Sequence, residues 1–255
     1  MHFEQQGTGD TVMLIHGLFG SADNLKTLGR HLSQHYHVVR IDVPNHGLSP
    51  KWSQMSYASL AEAIIELLDH LQIDKAHLVG HSMGGKIAMA TALSYPEKVS
   101  SVIAADISPV AYPRRHDKVF AALTSLPLEQ ITSRNDAMSH LKHQGIDDGT
   151  AMFLIKNLIR NEQSFSWRMN LTGLQQSYDE LIGWPSFPTS YLGPALCIRG
   201  GDSDYVTAAH RQAYIEQLPN IESKTIAATG HWLHAQKPEI FNRIVADFIN
   251  KHSQK

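Results

Sequence analysis

The sequence predicts an α/β protein, with a mostly parallel sheet, helices on both faces and an inserted helical cap. Three observations carry this. Short runs of β-branched and aliphatic residues recur as VMLIHG at 12–17, HVVRIDV at 37–43, AHLVGHS at 76–82 and SVIAADI at 101–107. Longer stretches of helical period lie between them, such as SLAEAIIELLDHL at 59–71, whose apolar positions Leu60, Ile64, Leu67, Leu68 and Leu71 share one face. Strands that are apolar at nearly every position are covered on both faces, the condition of a parallel sheet wrapped by helices. The alternation then stops. From Pro109 to Leu192 no strand-like run occurs, and HDKVFAALTSL, NDAMSHLKH and TAMFLIKNLIR read as successive helices.

After Gly193 the strand pattern returns in PALCIRG and ESKTIAATG, and PEIFNRIVADFIN closes the chain as an amphipathic helix. The simplest organisation is one sheet domain built from 1–108 and 193–255, with 109–192 inserted as the cap. Composition excludes several function classes. The chain of 255 residues is 42% hydrophobic and 18% charged, with 22 basic residues against 24 acidic, so no field favours nucleic acid or an anionic membrane. MHFEQQGTGD lacks the basic start and apolar core of a signal peptide, and no apolar run approaches the ~20 residues of a membrane span. A cytoplasmic protein is expected. Cys197 is the lone cysteine and sits in an apolar run, which reads as inert core. Sixteen histidines raise the question of metal. His31, His35 and His37 are close together, and His231 and His234 are three apart, but neither group has a metal-ligand spacing, so no metal is expected. Most of the histidines read as surface residues.

The chemistry concentrates at VGHSMGGK, 79–86. Gly80, Ser82 and Gly84 form GxSxG where a buried strand ends and the helical run MGGKIAMATALSY begins, the strand, turn, helix setting of a nucleophile elbow. Glycines two positions either side are needed because the turn crowds backbone against backbone. The bland reading is a helix-capping serine. A serine nucleophile needs a base, and the base needs an acid to hold its tautomer. His231, in AATGHWLHAQKPE between the last strand and last helix, is the candidate base. His81 points elsewhere, Trp232 either packs on the site wall or is purely structural, and Lys86 reads as a surface contact. For the oxyanion, HGLFGS at 16–21 offers the backbone amide of Leu18, and the elbow offers that of Met83. No cofactor is required.

HGLFGS, DVPNHGLSP, GHSMGGK, GGDSDYV and GHWLHAQKP together resemble the α/β-hydrolase superfamily, and more closely its small bacterial YbfF-type esterases, over nearly the whole chain. The resemblance implies a serine esterase or thioesterase acting on a small-molecule acyl ester or thioester under a helical cap, without cofactor. It also bears on the acid. In many α/β-hydrolases the acid follows the strand after the cap, which points to Asp204, with Asp202 nearby as a turn former. The YbfF-type pattern points instead to Asp106 in AADISPV, an acid after an apolar run with no partner charge in sequence. Asp106 is preferred and Asp204 stays open.

Within the insertion, Phe120, Met152, Phe153, Trp167, Met169, Tyr178 and Trp184 offer either an apolar roof for an acyl chain or the core of the cap. Arg114 and Arg115 are either a solvated helix start or a contact for an anionic leaving group such as coenzyme A. A lyase or C–C bond hydrolase on the same scaffold is the rival activity, and a noncatalytic binding protein a weaker one. The natural substrate and oligomeric state are not legible.

Overall fold

The computed structural model describes residues 1–162 and 164–253. Seven strands form the main sheet: β1 (Phe3–Gln6), β2 (Thr11–Ile15), β3 (His37–Ile41), β4 (Ala76–His81), β5 (Val99–Ala105), β8 (Ala195–Gly200) and β9 (Ile221–Ile226). Their order is β1-β3-β2-β4-β5-β8-β9, and every pairing is parallel except β1 with β3. Each strand of the apolar runs therefore exists. Their uniform apolar character has a direct cause on β2, where Met13 and Ile15 enter one core and Val12 and Leu14 the other. Helices Tyr57–His70 and Met83–Ser94 cover the first face, and Lys26–Leu32 with Pro238–His252 cover the second.

Two departures from the expected elements are informative. The edge strand β1 has the burial pattern of a half-wetted ribbon, and its FEQQ carries no apolar alternation to announce it. The second lies in the insertion, which was expected to hold no strand. Its third helix stops at Leu154, and β6 (Leu158–Arg160) pairs antiparallel with β7 (Phe165–Trp167) as a hairpin. The apolar spacing of FLIKNLIR fits a helix locally. Instead, Leu158 and Phe165 pack with Leu126, Ile131 and Ala137 of the preceding cap segments, and this burial sets the fold of the segment.

Between β5 and β8 the chain runs through helices Asp117–Thr124, Arg134–His143, Asp148–Leu154, Leu171–Gln176 and Tyr178–Ile182. Their apolar side chains, including Phe120, Leu141, Leu174 and Leu181, join the core that lies on one face of the main sheet. Polar ties fix the same junction. Asn170 Nδ2 donates to Asn45 Oδ1 at 2.8 Å, the Met55 amide donates to Ser177 Oγ at 2.9 Å, and Tyr57 Oη donates to the Leu181 carbonyl at 2.6 Å. The insertion is packed down rather than hinged on a linker. Among the described residues no helix is long and apolar enough to cross a membrane.

Candidate active site

Ser82 follows directly on β4 with φ 54° and ψ −122°, a conformation that costs a non-glycine residue of order 1–3 kcal/mol. The residues two positions either side are glycine for a measurable reason. A Cβ on Gly80 would lie 2.0 Å from the Gly84 carbonyl oxygen, and one on Gly84 would lie 2.1 Å from that of Ile15. The Ser82 amide donates to the Ala105 carbonyl at 2.9 Å, and the Gly85 amide returns to the Ser82 carbonyl at 2.8 Å. The strained turn is thus held from both sides, and its hydroxyl stands in a cavity.

Ser82 Oγ lies 2.9 Å from His231 Nε2, and His231 Nδ1 lies 2.8 Å from Asp106 Oδ2. These three groups come from the ends of β4, β5 and the loop after β9, with Asp106 and His231 125 positions apart in sequence. Asp106 is fully buried, and burying a carboxylate is tolerable only where donors surround it. It has three: the Gly200 amide at 2.9 Å, the Ser203 hydroxyl and the His231 ring. A carboxylate at Nδ1 fixes the proton there and leaves Nε2 as the acceptor facing Ser82.

Asp204, the other candidate acid, is placed elsewhere. It is exposed and pairs with Arg115 Nη1 at 2.8 Å, and the guanidinium holds its carboxyl below the usual carboxylate range. Its loop contributes through residues the sequence did not single out. Ser203 donates to Asp106, and the Tyr205 ring stacks on His231 at 3.7 Å between centroids. His81, expected to point away from the serine, donates its Nε2 proton to the His231 carbonyl at 2.8 Å and so steadies the histidine loop.

The opposite wall is the Gly17–Gly20 loop. Met83 is the first residue of its helix, so its amide has no intrahelical acceptor, and neither it nor the Leu18 amide has a backbone partner among the described residues. Two buried histidines shape this loop. His16 donates from Nδ1 to the Gly17 carbonyl at 2.8 Å and accepts the Val43 amide on Nε2 at 3.0 Å. His46 donates to the Pro44 carbonyl at 3.0 Å and accepts the Phe19 amide at 3.1 Å. Each ring uses one nitrogen as donor and the other as acceptor, which requires the neutral form; burial accordingly lowers the pKa of His16 to about 4 and that of His46 to about 3. From the cap, Asn157 Nδ2 donates to the Phe19 carbonyl at 2.7 Å. The expectation of mostly surface histidines is therefore corrected: only His31, His35, His70 and His143 are exposed. Two of the interior ones, His16 and His46, serve as neutral bridges between backbone groups.

Lys86 is likewise not a surface contact. It is 1% exposed, donates to the Ile182 and Gly183 carbonyls at 3.0 and 2.8 Å, and lies over the rings of Tyr57, Tyr112 and Trp184. Burial lowers its pKa to about 7. A helix position that reads as solvent in isolation is covered here by the end of the cap.

Two lobes meet at Ser82. The larger, ≈ 180 Å³, runs past His231, Trp232, His234 and Phe153. The smaller, ≈ 40 Å³, lies against Met83, Ile107, Leu181 and Ile182 and is mainly apolar. Phe153 and Tyr178 are the cap side chains of the expected roof that line these lobes, whereas Phe120 and Met169 are buried core and Met152 is exposed. Arg114 pairs with Asp117 and Asp179, and Arg115 with Asp204.

The fold agrees with what known proteins share with this chain. The alpha/beta hydrolase fold family matches residues 10–238, and the chain belongs to that family. It is 37% identical to the esterase YbfF of Escherichia coli over 97% of this chain and 96% of that protein. It is 34% identical to the mouse sn-1-specific diacylglycerol lipase ABHD11, over 93% of this chain and 80% of that one. A solved structure described as a marine microorganism esterase superposes with a TM-score of 0.94 at 33% identity, covering 97% and 98% of the two chains. The chain is an ester hydrolase of the serine class.

Proposed function

We propose that the chain is a carboxylesterase for short acyl groups, with Ser82 as nucleophile, His231 as general base and acid, and Asp106 as the buried acid behind it. The observation that carries this is the unbroken line Ser82 Oγ, His231 Nε2, His231 Nδ1, Asp106 Oδ2 at 2.9 and 2.8 Å. In the first half-reaction Ser82 Oγ bonds to the acyl carbon while its proton passes to His231 Nε2. The oxyanion turns to the amides of Leu18 and Met83, and Asp106 stabilises the imidazolium without taking its proton. The imidazolium protonates the departing alkoxide, and the acyl group stays on Ser82. Water then repeats the sequence, giving up a proton to His231, and the acid leaves as Ser82 recovers its hydrogen.

The two lobes divide the ester. The leaving oxygen must face His231 to receive its proton, so the alcohol occupies the larger lobe, which His231 lines. The acyl chain then enters the smaller lobe, whose ≈ 40 Å³ holds about three water-sized groups. Residues 109–192 act as the cap that closes both. Neutral esters suit this site better than acyl-CoA, because Arg114 and Arg115 already serve carboxylates of the protein. The test is a p-nitrophenyl ester series from acetate to palmitate with Ser82→Ala as the blank. Turnover should depend on Ser82 and peak at or below butyrate. Equal turnover by the blank would refute the nucleophile, and a peak at long chains would reverse the lobes.

A further inference from the structure

We infer that His116, contributed by the start of the cap, is a neutral hydrogen-bond donor to the scissile ester through Nε2. This rests on the serine-esterase reading of the same cavity and adds a side-chain donor to the two backbone amides. The ring's protonation is set by a phenol. Tyr178 Oη accepts the amides of Arg115 at 3.0 Å and His116 at 2.9 Å, and lies 2.8 Å from His116 Nδ1. A hydroxyl has two acceptor positions and one proton. Both acceptor positions are taken by amides, so the proton goes to Nδ1. A ring that accepts at Nδ1 is uncharged and carries its own proton on Nε2.

Burial favours the same state, lowering the His116 pKa to about 4. The position of the ring supplies the function. His116 lines both lobes, a property it shares with Ser82, Leu18 and Tyr205. Its Nε2 has no acceptor among the described residues, and it is not one of the sealed polar atoms that lack partners. The ring thus lies where the two lobes meet, at the place where the acyl and alcohol portions of an ester join. The rings of Phe19 and Tyr178, at 6.2 and 5.7 Å between centroids, hold the imidazole from two sides. A donor set before substrate arrives loses little entropy on binding, which favours its use in the transition state.

The test compares His116→Phe and His116→Gln on p-nitrophenyl butyrate, with thermal melting of each variant. Phenylalanine keeps the ring and removes the donor; glutamine restores an N–H. We expect kcat/KM to fall about tenfold in His116→Phe, mainly in kcat, the loss that follows when one neutral hydrogen bond of the transition state is removed. Glutamine should recover most of it at an unchanged melting temperature. Full activity in the Phe variant, or equal losses in both, would overturn the proposal. A measurement without substitution stands beside it: nitrogen-15 spectra of the histidines should show His116 protonated at Nε2, and a proton at Nδ1 would equally overturn it. Ser82→Ala, assayed in parallel, separates this outcome from failure of the underlying esterase reading, since only the latter predicts its turnover.

Discussion

The two walls that face each other across Ser82 are held by opposite means. The histidine wall is organised by a buried charge, Asp106, satisfied by the Gly200 amide, the Ser203 hydroxyl and the His231 ring. The oxyanion wall is organised by neutral rings, His16 and His46, whose nitrogens bridge backbone donors and acceptors. The difference follows from the charges that the proposed reaction creates. A developing imidazolium is stabilised by a fixed anion a few ångströms away, whereas a developing oxyanion requires amide dipoles with no carboxylate near them. Neutral imidazoles place those amides without adding a charge of either sign.

The largest effect should come from removing the buried charge. Asp106→Asn is expected to keep the geometry and lower kcat by about 10⁴-fold, because an amide at Nδ1 no longer enforces the tautomer. Asp204→Asn should leave kcat nearly unchanged, since an exposed ion pair contributes about 0–1 kcal/mol. Equal losses in the two would place the acid on the wrong strand. On the neutral wall, His46→Ala strips the acceptor from the Phe19 amide, and the loosened loop should cost kcat on the order of 10²-fold, the effect of a misplaced oxyanion donor, with KM little altered.

How far these walls were legible differs for physical reasons. The parallel strands could be read because burial on two faces leaves no polar alternation, and β1 could not because it is a polar edge. Ser82 is marked by glycines that the turn demands, and His231 by its place between the last strand and helix. Asp106 is preferred over Asp204 by the family resemblance and by its place after an apolar run with no partner charge, but the residues alone leave both open, because the choice depends on a contact across 125 residues. Lys86 was misread as a surface contact, and Ser203, Tyr205 and His116 escaped notice, because their meaning lies in what the cap and loops bring over them.

The neutral wall also predicts acid sensitivity. Burial holds the folded pKa of His16 at about 4, His46 at about 3, and His77 and His234 at about 4, against 6.5 for an unperturbed histidine. Between these values the unfolded chain binds more protons than the folded one, so stability present above pH 6.5 is lost as pH falls toward 4. Urea midpoints should decline steadily over that interval and less steeply in His46→Gln, the smallest of these effects. A flat profile would mean that the rings are not held neutral.

The most direct measurement is to react the protein with a fluorophosphonate ester and map the adduct by peptide mass spectrometry while following residual esterase activity. A single adduct on Ser82 is expected, with activity lost in proportion to it and slow labelling in His231→Ala. Turnover that survives complete modification of Ser82, or an adduct on another residue that tracks the loss of activity, would contradict it.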